Sequence, residues 1–316
     1  MDFGLLRDAF WGLTFDGLAL GAIYALISLG YTLVYGVLRL INFAHSEVFM
    51  IGTFSALVAS GIMGVKVEDD PRTGWGMVFT LLICLIAAML ASGITAVLVE
   101  IIAYRRLRQR GATKLATLIS AIGVSISLVE LFRIITDSLP REFPRIMDKT
   151  FLFSYAGADI RNDKVIVIIA AGLMMFALER FISKSRYGKG IRAVSMDENT
   201  ATLMGVNINK VITVTFLAGG MMAGAAAFFY ILVYENTSFK VGFFLGISAF
   251  TAAVLGGIGN LKGALFGGFM LGVLETWTSA VFGTAWKAII SFLILVLVLL
   301  IKPTGLFGES IQQARV

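Results

Sequence analysis

His45 and Cys84 are each the only residue of their type in the 316-residue chain, and that scarcity removes most of the chemistry a chain of this length could carry. An H-E-x-x-H metal site needs two histidines and an intrachain disulfide needs two cysteines, so neither is expected. No G-x-x-x-x-G-K-[ST] phosphate loop occurs. GKG at Gly188–Gly190 and GNLKG at Gly259–Gly263 lack both the spacing and the hydroxyl, so the chain is not expected to bind or hydrolyse ATP. What remains is the short polar break RLINFAHSE, with Asn42, His45 and Glu47 between two apolar runs. A histidine and a carboxylate at this spacing could form an acid/base couple, but no placed nucleophile or metal partner accompanies them. Glu47, Glu130 and Glu275 could instead be ion or proton sites of a carrier, because acids in membrane segments are costly unless they face protein or water. The same break also admits a quieter role, hydrogen bonding at a helix end.

The elements that must position these residues are membrane helices. Hydrophobic residues make up 58% of the chain and charged ones 15%, with a mean hydropathy of +0.89. Soluble domains carry about 25% charged residues. At about 20 apolar residues per span, the chain reads as an all-α polytopic membrane protein of about eight to ten transmembrane helices. The net charge of +6 reads as topology and not as nucleic-acid binding, because Lys and Arg collect on the cytoplasmic side of spans.

Residues 1–12 are expected as a tail or interfacial helix, with Phe3, Leu5, Leu6, Phe10 and Trp11 on its apolar face. The transmembrane domain is expected over 13–302 and a cytoplasmic tail over 303–316. The spans are placed at Leu13–Leu38, Ala44–Val65, Gly74–Val99, Leu115–Ile135, Val165–Ile182, Val211–Tyr234, Val241–Ile258, Gly263–Phe282 and Ala288–Ile301. This gives nine crossings with the N-terminus outside, and one of the short runs could be a re-entrant half-helix. Two polar breaks, INFAHSE and GGIGNLKGA, could be counterparts in two halves. Tyr104–Lys114 has Arg105, Arg106, Arg108, Arg110 and Lys114 with no acid, the strongest inward signal. Asp137–Lys164 balances five acidic against five basic residues and reads as a structured outer loop. Glu130 and Arg133 are spaced to pair on a helix. Small residues recur every fourth position: Gly17, Gly21 and Ala25, then Gly259, Gly263 and Gly267, then Gly268 and Gly272. That is the spacing of close helix contacts.

The largest inward polar segment is 183–210. Within it Asp197 to Met204 reads as a short helix, with Asp197 or Asn199 as the cap, Ala201, Leu203 and Met204 as helix formers, and Gly205 as the stop. It could be a docking knob or a solvated connector.

Three long stretches carry a resemblance: GLALGAIYALISLGYTLVYGVLRLINFAHSEVFMIG, RYGKGIRAVSMDENTATLMGVNINKVITVTFLAGGMMAG and AFTAAVLGGIGNLKGALFGGFMLGVLE. Together with LVLLIKPTGLFG near the end, the chain resembles the permease subunits of branched-chain amino acid ABC importers, the LivH type. The resemblance implies ABC importer permease architecture in a bacterial inner membrane and a second, LivM-like permease subunit. It also implies two cytoplasmic ATPase subunits that use ATP, and a periplasmic amino-acid-binding protein. It turns Asp197, Glu198, Asn199, Ala201, Leu203, Met204 and Gly205 into an expected ATPase-docking helix. One departure is Ser46, where the family pattern N-F-A-H-G has glycine. Import of urea or short-chain amides, and a self-sufficient channel or ion-coupled carrier, stand as alternatives.

Overall fold

The computed structural model describes residues 3–155 and 157–308. Among the described residues, eight helical stretches are long and apolar enough to cross a membrane. After the short α1 (Phe3–Asp8), the first is α2 (Phe10–Leu38), so Phe10, Trp11 and Gly12 belong to the first span and not to the tail expected over 1–12. Then come α3 (His45–Ile62) and α4 (Gly74–Val99), which runs on without a break through a π-helical turn (Glu100–Arg105) into α5 (Arg106–Gln109). The others are α6 (Lys114–Ile135), α7 (Asn162–Lys184), α10 (Ile208–Tyr234), α12 (Leu261–Phe282) and α13 (Lys287–Ile301), the last preceded by one 3-10 turn. Between α7 and α10 lie α8 (Arg186–Met196) and α9 (Glu198–Leu203).

The centre of the bundle is α2. Every residue from Ala19 to Val34 is buried, as expected of a helix that is apolar on all sides. Lipid is as apolar as leucine, so close packing must hold such a helix in place, and glycine permits it. A Cβ on Gly17 would stand 2.6 Å from Val273 Cα, and one on Gly21 2.7 Å from Phe269 Cα. On the facing side, Gly268 lies against Ala25 and Gly272 against Gly21. α10 repeats the pattern: Gly30 and Gly219 touch where α2 and α10 cross, and Gly220 and Gly224 lie against Ala96 and Ala88 of α4. Gly263 and Gly267 lie against the backbone at Gly256 and Ala252. Gly259 does not join them: it precedes α12, has a φ of +99°, and no atom lies within 4 Å of its Cβ position. It is a turn glycine, in the region where side chains are strained.

These contacts expose an inverted repeat. α2 and α10 each end in a left-handed residue, Arg39 (φ 50°) and Glu235 (φ 55°). Each then leads through a short break into a shorter helix and on to the glycine-seamed partner of the other long helix. The counterpart of the INFAHSE break is therefore Glu235–Lys240 and not the expected GGIGNLKGA.

The expected seventh span, Val241–Ile258, is incomplete. α11 (Val241–Gly256) has 16 residues, about 24 Å at 1.5 Å per residue, against a hydrocarbon core of about 30 Å. The stretch before it makes up the difference, carrying Thr237 down to Thr53 of α3 (Oγ1–Oγ1 2.6 Å). Where α11 stops, the segment after α13 closes the turn: Leu306 N donates to Leu255 O (2.8 Å) and Phe307 N to Gly256 O (3.0 Å). The start of the expected tail is thus docked, and residues 309–316 lie outside the described residues.

The loops gather at the two ends of the bundle. At one end Arg72 N donates to Ile146 O (3.0 Å) and Phe143 N to Glu235 O (2.9 Å), while Arg145 and Lys149 pair with Glu235 (3.1 and 2.6 Å). The loop expected over 137–164 carries short strands before α7 begins at Asn162. β2 (Phe151–Tyr155) pairs antiparallel with β3 (Ala158–Arg161), and β1 (Arg141–Glu142) with β4 (Asn236–Thr237), a small departure from an all-α chain. At the other, basic end Arg108 Nη2 donates to Asn209 Oδ1 (2.7 Å) and Arg39 Nη2 to Ser195 O (3.1 Å). Two of the basic residues there are balanced from within: buried Glu100, on the π turn, pairs with Arg105 (2.5 Å) and Arg108 (3.4 Å).

Candidate functional site

The Arg39–Ala44 break turns the chain back so that α3 starts inside the bundle. Asn42 Oδ1 accepts from Ala44 N (3.1 Å) and from the hydroxyl of Tyr104 (3.0 Å), which ties the start of α3 to the π turn after α4. His45 lies edge-on to Tyr31, ring centroids 4.7 Å apart, in a slot that exists because Gly30 has no side chain: a Cβ there would collide with the imidazole. Neither Asn42 Nδ2 nor His45 Nε2 has a hydrogen-bond partner. Asn42 thus does the work of a helix-end bond, while His45 is enclosed by packing and away from any acid partner. Ser46 sits inside α3 without a left-handed backbone, so the missing family glycine costs no strain. Its Oγ lies 2.8 Å from Phe43 O and 3.1 Å from Glu47 Oε1.

Glu47 stands in the wall of a cavity of about 700 Å³ between α3, α6 and α11. The rest of the wall is mainly apolar, with Ile122, Ile126, Val129, Ile247 and Phe250. Ser125 Oγ donates to Glu47 Oε1 (3.2 Å) from α6. Glu47 Oε2 is buried without a partner. The backbone of α11 approaches α3 here through Gly242 and Gly246, both against Ser46.

The three acids that could have formed a relay do not share one path. Glu130 lines the cavity but is half exposed and paired with Arg133 at 2.6 Å. Glu275 lies elsewhere, between α2, α11 and α13, where Tyr24 donates to Oε2 (2.7 Å), Ser248 donates to Oε1 (2.8 Å), and the Ser291 hydroxyl bonds Oε1 as well. Tyr24, Tyr104, Ser125, Ser248 and Ser291 were not singled out in the sequence. Their only signal is a hydroxyl inside an apolar run, and serine or threonine can satisfy that signal on its own helix, as Thr215 does on Val211 O (2.8 Å).

At the basic end, α9 is built as expected and stands on a helix that was not. Asp197 caps α9, its carboxylate accepting from the Thr200 hydroxyl (2.5 Å) and from Asn199 N (2.9 Å). Those two donors hold the Asp197 carboxyl below its ordinary range. Gly205 ends α9 with a φ of +80°, and Val206 N returns to Ala201 O (3.0 Å). Ala201 is buried beneath the helix, whereas Glu198 and Asn199 are exposed. Leu203 and Met204 are 87% and 80% exposed, and Met196 at the end of α8 is 82% exposed. The seven expected docking residues therefore divide in two. Asp197, Ala201 and Gly205 shape the helix, and Glu198, Asn199, Leu203 and Met204 are available to a partner. α8 is fastened to α7 by Arg192 Nη1 to Ile182 O (2.6 Å) and by the close approach of Gly188 to Ile182.

Residues 13–299 match the family described as branched-chain amino acid transport system / permease component. The high-affinity branched-chain amino acid transport system permease protein BraD of Pseudomonas aeruginosa is 39% identical over 297 residues, covering 93% of this chain and 94% of that protein. The corresponding LivH proteins of Escherichia coli K12 and Salmonella typhimurium are 38% and 39% identical over 299 residues, with the same coverage. Among solved structures, PsaBC from Streptococcus pneumoniae in complex with Fab aligns over 96% of this chain and 97% of that one, at 13% identity and a TM-score of 0.47, too low to bear on function.

Proposed function

Because this multi-pass chain belongs to the family of permease components of branched-chain amino acid transport systems, we propose that it forms half of the pathway of an ATP-driven importer for leucine, isoleucine and valine in a bacterial inner membrane. Its other half is a second, LivM-like permease. Two ATPase subunits engage the basic end and bind the ATP, and a periplasmic amino-acid-binding protein delivers substrate at the opposite end. The chain itself is a non-catalytic subunit without a cofactor.

One observation carries the ATPase side of this reading. Met196, at the end of α8, and Leu203 and Met204, at the end of the capped α9, are more than three-quarters exposed at the charged end of the bundle. Large apolar side chains grouped in water mark an interaction surface. The cap and the left-handed Gly205 hold them on a rigid turn, so a partner pushing on α9 moves α8 and α7 with it. The test is reconstitution of the full complex carrying Leu203→Asp and Met204→Asp together. The expected result is a normally inserted permease that loses its ATPase subunits or hydrolyses ATP without importing leucine. Wild-type ATPase binding together with wild-type uptake would show that α9 is only a solvated connector.

A further inference from the structure

Among the described residues four carboxylates are buried: Glu47, Glu100, Asp163 and Glu275. Three are compensated. Glu100 has two arginines, Asp163 has Arg161 at 2.5 Å, and both oxygens of Glu275 accept hydroxyl bonds. Glu47 differs on each count. No cation lies within ion-pairing distance, one oxygen has no partner, and it alone of the four lines the large cavity. A buried carboxylate left in this state is costly, and in a membrane segment such a residue points to a ligand.

We infer that Glu47, with the hydroxyls of Ser46 and Ser125, is the seat for the α-ammonium group of the amino acid in transit. The inference rests on the branched-chain amino acid reading above and adds the place and orientation of the substrate. An ammonium group has three N–H donors and no acceptor, and the seat holds three acceptor groups, the Glu47 carboxylate and the two serine hydroxyls; Glu47 Oε2 is shut against Gly242 of α11 and becomes available only as the cavity opens. A hard metal cation asks for six or more oxygens, more than this wall supplies. Beyond the seat the wall is aliphatic and aromatic through Ile122, Ile126 and Phe250, a match for a branched aliphatic side chain. Access is governed by α6, which presents Ser125 to the carboxylate and of which only Thr117 and Ala121 are buried. The rest of its hold on the core is through half-buried Val124, Val129 and Phe132, the last against Phe54 with ring centroids 4.9 Å apart, so parting α6 from α3 there opens the seat.

The test uses the complete complex in proteoliposomes with radiolabelled L-leucine. Glu47→Gln keeps the shape and removes the charge, and leucine uptake falls about tenfold or more, as loss of a charged hydrogen bond implies. Glu47→Asp restores part of it. In parallel, Ser125→Cys in a Cys84→Ala background reacts faster with a cationic than with an anionic methanethiosulfonate reagent, and L-leucine slows the reaction. This second arm keeps Glu47 intact, so it decides the matter even where Glu47→Gln fails to assemble. Uptake by Glu47→Gln within twofold of wild type, or a labelling rate indifferent to both reagent charge and leucine, overturns the seat alone. A wild-type complex that imports urea or acetamide but not leucine overturns the function itself, and the seat with it.

Discussion

Replacing Gly21 by alanine adds one methyl group where α2 and α12 touch backbone to backbone. Its Cβ would stand 2.7 Å from Phe269 Cα and 2.8 Å from Gly268 O, whereas ordinary contact begins near 3.4 Å, so the helices must part by about 0.7 Å. A gap of that size forfeits roughly a quarter to a half of the dispersion well at each atom pair along the seam. Overpacking costs about 1–3 kcal/mol. Here the obstacle is backbone that no rotamer change can move, which selects the upper end. Alanine's better helix propensity returns up to about 1 kcal/mol, leaving a net loss of about 2 kcal/mol. The matched control is Gly172→Ala on α7, where no atom lies within 4 Å of the added Cβ and only the propensity gain of up to about 1 kcal/mol remains. Thermal unfolding in detergent, followed by the fluorescence of the four tryptophans, should put Gly21→Ala several degrees below wild type and Gly172→Ala at or above it. If the two variants melt together, glycine spacing is not what holds α2 against α12.

Two further outcomes follow from the ends of the bundle. Single cysteines at Gln109 and Asp159, in a Cys84→Ala background, should react with a membrane-impermeant reagent from opposite sides; labelling from the same side contradicts the topology. Because the Asp197 carboxyl is lowered in the folded protein by the Thr200 hydroxyl and Asn199 N–H, its capping contribution is complete above the ordinary carboxylate value of about 3.9 and fades only as pH falls through the lowered one. Hydrogen exchange over 198–204, corrected for intrinsic rate, should therefore keep constant protection from pH 8 to 5 in wild type. Asp197→Ala should lose protection throughout that range, and a midpoint near pH 6 in wild type would contradict the cap.

Long apolar runs are visible in any sequence, so the expected spans match the helices to within a few residues, and the Lys- and Arg-rich loops meet at one end of the bundle. What stayed hidden has specific causes. RYGKGIRAVSM has two glycines and reads as a loop, yet it forms α8, because Gly188 and Gly190 allow close approach to Ile182 and Val211 and do not break the helix. ENTSFK reads as a surface turn, yet Thr237 within it is buried against Thr53. Nothing in EIIAYR announces a π turn. Gly259 copied the four-residue spacing of its neighbours for a different reason, its left-handed backbone. At the candidate site, Glu47 was legible because a carboxylate in an apolar run is costly wherever it points. Its companion Ser125 was not, since it comes from a separate span and only the packing of α6 brings it near.

The break between α2 and α3 is anchored twice from the basic end, by Arg39 to Ser195 of α8 and by Asn42 to Tyr104 of the π turn. Glu47 stands in the first turn of the helix that follows. A displacement of α8 at the surface therefore arrives at the cavity wall through one short, hydrogen-bonded strut, without travelling the length of any membrane helix. The first turn of α3 is also the one that seats His45 against Gly30 and Ser46 against Gly242 and Gly246, so any movement of it is felt by α2 and α11 together.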